Sequence, residues 1–235
     1  LKNHRQPAFL TTARAAGVIL AALLLASCAK RPPVLVPPAS GVEAVAGFGS
    51  ASIRGDAADV KGKFAFLFRK PGLGRVEAFD PLGRTIYYMV FAGETAYLVV
   101  PQKKVYTEDR PEKMVGRFLG FPLSPGEILE LLAGQWTRDG SGEGRVGAWT
   151  LHRDADGRVV RGERDGLVFE VGEFFPGAGV PRMIRFSRPG TAGRMSILSL
   201  EFNPAPRPEA FETSFLKTFV RKSWEDIQGI RNDAP

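Results

Sequence analysis

The feature that most constrains the fold is a change of hydrophobic period along the chain. From Val42 to Pro101 apolar and polar residues alternate in short runs, the pattern of antiparallel strands. The runs Leu73 to Asp80, Arg84 to Phe91, Thr95 to Val100 and Lys104 to Thr107 follow turn signals at Pro71-Gly72, Asp80-Pro81-Leu82-Gly83 and Ala92-Gly93. Connections this short join neighbouring antiparallel strands. The period then becomes helical. Met114, Val115, Phe118 and Leu119 recur after Pro111, while Ser124, Pro125 and Glu127 have the spacing of a capping box with proline at the first helical position. Ile128, Leu129, Leu131 and Leu132 complete this second helix. Beyond Gly134 strands return at Val146 to Arg153, Arg158 to Glu163, Leu167 to Glu173, Arg182 to Ser187 and Arg194 to Phe202, with Asp156-Gly157 and Asp165-Gly166 expected as hairpin turns. Roughly ten strands with two short helices inserted midway predict a mainly β fold. Its expected form is a strongly curved antiparallel sheet or unclosed β-barrel, with the helices covering an apolar interior.

Phe64, Phe66 and Phe68 share one face of their strand, but Ala65 and Leu67 make the other face apolar too, so alternation leaves open which face lines the interior. Phe64, Phe66, Phe68, Phe79, Met114, Phe118 and Leu129 are expected to contribute to a cavity. The alternative is that they interlock in a closed core with no void. In the tail from Pro204, Phe211, Phe215 and Phe219 recur at fourfold spacing with Trp224 beyond, which fits a strap or helix packed back on the body.

The residues that common catalytic sites need are scarce. His152 is the only histidine beyond His4, and Cys28 is the only cysteine, so zinc clusters and Ser-His-Asp or Cys-His arrangements lack raw material. No enzyme activity, metal or cofactor is expected. Gly72-Leu73-Gly74 and Gly140 to Gly144 lack the strand-to-helix setting of a phosphate cradle. The net charge is +7, of which Lys2, Arg5 and Arg14 belong to the first segment. The remaining bases are scattered among acids, and nucleic-acid binding is not expected.

That first segment has the three zones of a secretory signal: a cationic start, an apolar stretch from Ala15 to Leu25, and the small-residue exit Ala26-Ser27-Cys28. The stretch is shorter than the about 20 apolar residues of a stable membrane span. Leu25-Ala26-Ser27-Cys28 resembles the bacterial lipobox, in which the cysteine is acylated and becomes the mature N-terminus. Residues 1–27 are thus expected to be a lipoprotein signal peptide, 28–41 a lipidated cysteine with a Pro-rich tether, and 42–235 one β domain. Ala29, standing where an aspartate would favour inner-membrane retention in some bacteria, points to the outer membrane with the domain in the periplasm.

Asp80, Pro81 and Gly83 fit a type I turn, which puts Leu82 at its third position, either exposed at the tip or folded back on a neighbour. Over Arg54 to Leu132 the chain resembles the LolB family of outer-membrane lipoprotein receptors. The likeness is carried by Ile53-Arg54-Gly55 before Phe64-Ala65-Phe66, by Asp80-Pro81-Leu82-Gly83, by Val105-Tyr106-Thr107, and by Glu112 to Gly116 with Phe121-Pro122-Leu123-Ser124. After Gly134 only the strand-and-turn rhythm agrees. The resemblance implies an unclosed barrel with an acyl-binding cavity. It also implies a monomeric receptor that takes acylated lipoproteins from a LolA-like periplasmic carrier and releases them into the outer membrane. Leu82, with Pro81 beside it, matches the protruding leucine needed for release. A lipid-anchored carrier of phospholipid or another hydrophobic ligand, and a structural envelope lipoprotein, are the rival expectations.

Overall fold

Alternation becomes hydrogen-bonded strands wherever turn residues let the chain reverse. In the computed structural model the described residues are 35–39, 41–55, 59–136, 145–146 and 149–232; the signal-like segment, Cys28 and residues 29–34 lie outside them. A first meander comprises β1 (Ala44–Gly55), β2 (Val60–Arg69), β3 (Leu73–Phe79), β4 (Thr85–Ala92), β5 (Thr95–Val100) and β6 (Val105–Asp109). Two helices follow, α1 (Pro111–Leu119) and α2 (Pro125–Ala133). A second meander comprises β7 (Arg145–Val146), β8 (Trp149–Arg153), β9 (Val159–Arg164), β10 (Leu167–Phe174), β11 (Pro181–Arg188) and β12 (Thr191–Phe202). The tail holds two 3-10 turns, Pro208–Phe211 and Ser214–Thr218, then β13 (Val220–Arg221) and α3 (Trp224–Asn232).

The strands form one sheet in the order β13-β6-β5-β4-β3-β2-β1-β12-β11-β10-β9-β8-β7. The two meanders are joined along β1 and β12, which pair antiparallel from Val45↔Phe202 to Gly55↔Thr191 with an irregularity at Phe48/Gly49. β13 adds parallel to β6 at one edge and β7 lies at the other, and no ladder joins these edges among the described residues. The sheet is therefore unclosed, with α1 and α2 packed on its apolar face.

Local chemistry explains both helix starts. Ser124 Oγ accepts from the Glu127 amide (3.2 Å) while the Glu127 carboxylate accepts from the Ser124 amide (2.8 Å), and Pro125 opens α2. Gly120 and Gly134, both left-handed, end α1 and α2. Asp165 and Gly166 both have positive φ, the two-residue hairpin turn that Asp-Gly favours. Asp156-Gly157 instead forms part of a longer loop, Asp154 to Arg158. Of the phenylalanines at fourfold spacing in the tail, Phe211 and Phe215 lie in the two 3-10 turns and Phe219 is extended just beyond the second, so the spacing marks no α-helix. The tail touches the body where Phe215 lies 5.6 Å from the Tyr88 ring and Arg75 donates to the Ala210 carbonyl, and Phe215 and Phe219 meet within it at 5.7 Å.

Candidate functional site: an apolar cavity and an exposed leucine

Strand pairing decides which face of the sheet is hollow. Gly49↔Phe64, Gly47↔Phe66 and Val45↔Phe68 in one ladder, with Phe64↔Ala78, Phe66↔Val76 and Phe68↔Gly74 in the next, place these side chains on one face. The rings lean over β1 because glycine leaves room: a Cβ at Gly47 would stand 2.6 Å from Phe66 Cζ, and one at Gly49 2.8 Å from Phe64 Cζ. Between this face and the helices lies a cavity of about 300 Å³. Phe64, Phe66, Phe68, Val76 and Ala78 form its floor and Ile86 and Tyr87 a side wall. Phe118, Leu119, Ile128, Leu131 and Leu132 supply the helical cover, with Phe121 from the connection between the helices and Phe186 and Met195 from the second meander. A smaller cavity of about 50 Å³ lies beside it toward Met89, Leu98 and Val115. Tyr87 and Phe118 line both and meet edge to face at 6.1 Å.

The charged residues on the border are Asp59, Lys61, Lys63 and Arg194, all exposed, which places the rim at the β1–β2 hairpin end of the sheet. The interior lining is apolar, which suits an aliphatic chain and offers an ion or polar cofactor almost no ligands. Among the described residues no group of three or more His, Cys, Asp and Glu side chains could hold a metal ion. His152 is on the surface beside Glu163 at 3.7 Å.

Of the seven residues expected on the cavity wall, Phe64, Phe66, Phe68 and Phe118 are there. Phe79 borders the cavity, but its pairing with Lys63 turns its side chain to the opposite face, where its ring lies 6.0 Å from Phe48. Met114 and Leu129 are a correction: both are fully buried in the packed core and line no part of the main cavity. Each helix has an apolar stripe wide enough to serve both cavity and core, and the sequence does not divide it. The lining residues Tyr87, Ile128, Leu131, Leu132 and Phe186 were not expected as such. For Leu131 and Leu132 the signal was present, in the stripe of α2.

The β3–β4 hairpin carries the second part of the site. Asp80 Oδ1 accepts from the Leu82 and Arg84 amides (2.9 Å each), and Asp80 Oδ2 accepts from Arg84 Nε (2.6 Å). The Gly83 amide donates to the Asp80 carbonyl (3.0 Å), with Gly83 at φ +81°. The hydrogen bond from the Arg84 amide is the chief cause that holds the Asp80 carboxyl below the usual aspartate value. The loop is thus braced through polar atoms, while Pro81 is exposed and Leu82 stands 79% exposed at the tip. Cys28, the expected lipidation site, lies outside the described residues.

No family model and no curated protein matches the chain. Solved structures do. A DUF1329 family protein from Desulfovibrio piger superposes with a TM-score of 0.53 at 13% identity, over 86% of this chain and 98% of that one. A domain ascribed to outer membrane lipoprotein sorting from Vibrio parahaemolyticus gives 0.51 at 11% identity, over 74% and 92%. A LolA superfamily protein from Nitrosomonas europaea gives 0.50 at 14% identity, over 77% and 94%. The fold is LolA-like. Identities this low transfer architecture and not task, and the LolA-like architecture is an unclosed sheet whose apolar face is covered by short helices, as described above.

The helical cover is fastened to the second meander by arginines. Arg164 Nη2 donates to the Pro122 carbonyl (2.7 Å), and Arg188 Nη1 to that of Gly120 (3.1 Å). Glu127 accepts from Trp149 Nε1 (2.7 Å) and pairs with Arg164, whose guanidinium lies 4.5 Å from the Trp149 ring centre. Burial alone would raise the Glu127 carboxyl. The Ser124 amide, the Trp149 indole and Arg164 outweigh it and hold the group below its ordinary value.

Proposed function

We propose that this protein is a lipid-anchored receptor of the periplasm that accepts the acyl chains of lipoproteins from a LolA-like carrier and passes them to the outer membrane. The observation that carries the reading is the pairing of an apolar cavity of about 300 Å³ with a braced, exposed Leu82 at the same end of the sheet as its rim. Magnitudes support a one-way transfer. If a methylene takes on the order of the 30 Å³ of a liquid water molecule, the cavity shelters about ten. At about 0.8 kcal/mol each this is on the order of 8 kcal/mol, before the costs of association. A bilayer takes every methylene of every chain, so the step from cavity to membrane runs downhill without ATP.

The test is transfer of a labelled lipoprotein from its carrier through this protein into liposomes. The loop Asp154 to Arg158 repeats the bracing of Asp80 to Arg84 bond for bond but carries Asp156 where the other carries Leu82. Leu82→Asp should therefore leave the hairpin folded. Uptake should persist while delivery to liposomes falls at least tenfold, the loss of about 1.4 kcal/mol or more of transition-state contact with the bilayer. Full delivery by that variant removes Leu82 from the mechanism. A second reading, a carrier of single phospholipids, draws on the same cavity, whose volume is at the low end of the ~300–1,000 Å³ of ligand pockets. Mass spectrometry of natively extracted protein separates the two, since bound phospholipid in place of acylated peptide favours the carrier.

A further inference from the structure

Leu82 does not stand alone at its end of the sheet. The pairing Lys63↔Phe79 sets Lys63 beside the base of the Leu82 hairpin, with Lys61 two residues nearer the β1–β2 turn. On the other side, the Gln102 side chain donates to the Thr85 carbonyl and ties the 3-10 turn Pro101–Lys103 to the same hairpin, bringing Lys103 and Lys104 alongside. The Val220 amide donates to the Lys104 carbonyl (2.9 Å), which adds a second exposed apolar side chain, 58% accessible.

All four lysines are exposed, and none forms an ion pair with a described carboxylate. Asp80 is occupied by Arg84. Asp59 is the acid on the adjoining cavity rim. Two exposed aliphatic side chains flanked by lysines that pair with no carboxylate among the described residues match a membrane interface, where apolar groups enter the acyl boundary and ammonium groups snorkel to phosphates.

We propose that this end of the sheet docks on anionic phospholipid. Leu82 and Val220 enter the acyl boundary, and Lys61, Lys63, Lys103 and Lys104 hold headgroup phosphates. Charge complementarity selects the lipid, because a zwitterionic surface gives four lysines little net attraction whereas an anionic leaflet attracts each of them. The cavity rim shares Lys61 and Lys63 with this face, so docking sets the rim against the headgroups where a released chain must go. The proposal deepens the reading of Leu82 as a bilayer contact and rests on it.

Hydrogen exchange of the full-length chain on vesicles tests it. On vesicles of phosphatidylcholine with phosphatidylglycerol at low salt, peptides covering Asp80 to Thr85 and Pro101 to Val105 should exchange several-fold more slowly than on pure phosphatidylcholine. High salt should abolish the difference. The variant Lys61→Gln/Lys63→Gln/Lys103→Gln/Lys104→Gln should lose the protection, while Lys70→Gln/Lys113→Gln, at the opposite end of the sheet, should keep it. Equal protection on both vesicle types, or undiminished protection in the fourfold variant, overturns the proposal. So does a wild-type chain that ignores anionic vesicles but is protected at these peptides by an acidic protein. Uptake of a palmitoylated peptide by the wild-type chain is scored separately. Its absence defeats the acyl-receptor reading and leaves the vesicle result to stand or fall by itself.

Discussion

Leu82 is held out at the tip because Asp80 commits its carboxylate oxygens to the Leu82 and Arg84 amides and to the Arg84 side chain, which fixes the loop through polar atoms and leaves the leucine side chain outside. Asp80→Ala removes that bracing and keeps the leucine. Amide exchange at Leu82 and Arg84 should quicken, and delivery should fall although the apolar contact survives. The pH dependence has a fixed sign. A carboxyl held below its ordinary value contributes loop order that is complete above the unfolded-state value and is lost as pH falls through the depressed one. Exchange at these amides, corrected for intrinsic rate, should therefore rise only in acid. Acceleration on going from neutral to alkaline pH would contradict the role given to Asp80. The turn was legible because Asp, Pro and Gly act within four residues. The Asp156-Gly157 turn was not, because Asp154, two residues earlier, takes the amides and sets a longer loop.

At the scale of elements, cavity wall and core wall should respond differently to the same kind of truncation. Met114 is fully buried within the core cluster, and Met114→Ala should cost about 2–5 kcal/mol in denaturant unfolding. Phe64 already borders empty space, so Phe64→Ala should cost less than that and should alter acyl uptake more. A larger stability loss at Phe64 than at Met114 would mean that the cavity is filled in solution. Glu127 fixes where α2 sits. Glu127→Gln keeps the shape but weakens the charge-assisted bonds from Arg164, Trp149 and Ser124, at about 1.5–3 kcal/mol. Because its carboxyl is depressed, that stability is present above the unfolded glutamate value and fades as pH falls through the folded one, so the variant should flatten the acid limb of a stability-against-pH curve. The capping box was readable from four residues. The arginines that fasten the cover were not, since Arg164 and Pro122 are brought together only by the tertiary fold.

At the scale of the molecule, most strands could be drawn from alternation and turns, yet the ladder that makes one sheet from two meanders could not. β1 and β12 lie at opposite ends of the body, and their pairing leaves no local signature. That ladder joins the two halves whose residues, Phe64, Phe66 and Phe68 from one and Phe186 and Met195 from the other, border the same void, while the β2–β3 register puts Phe79 on the other face. Hollowness is the property on which the proposed transfer depends, and it can be removed without touching charge or surface. Ala78 lies on the wall shared by both cavities, paired with Phe64. Ala78→Leu places three more carbons into space that is empty, so it should leave thermal stability unchanged or raise it, in contrast to the usual cost of about 1–3 kcal/mol for overpacking a filled core. Uptake of an acylated peptide should fall in the same variant. A destabilised protein with undiminished uptake would place the acyl chain somewhere other than this cavity, whereas a stable protein that no longer takes up the chain ties binding to the space beneath the helices.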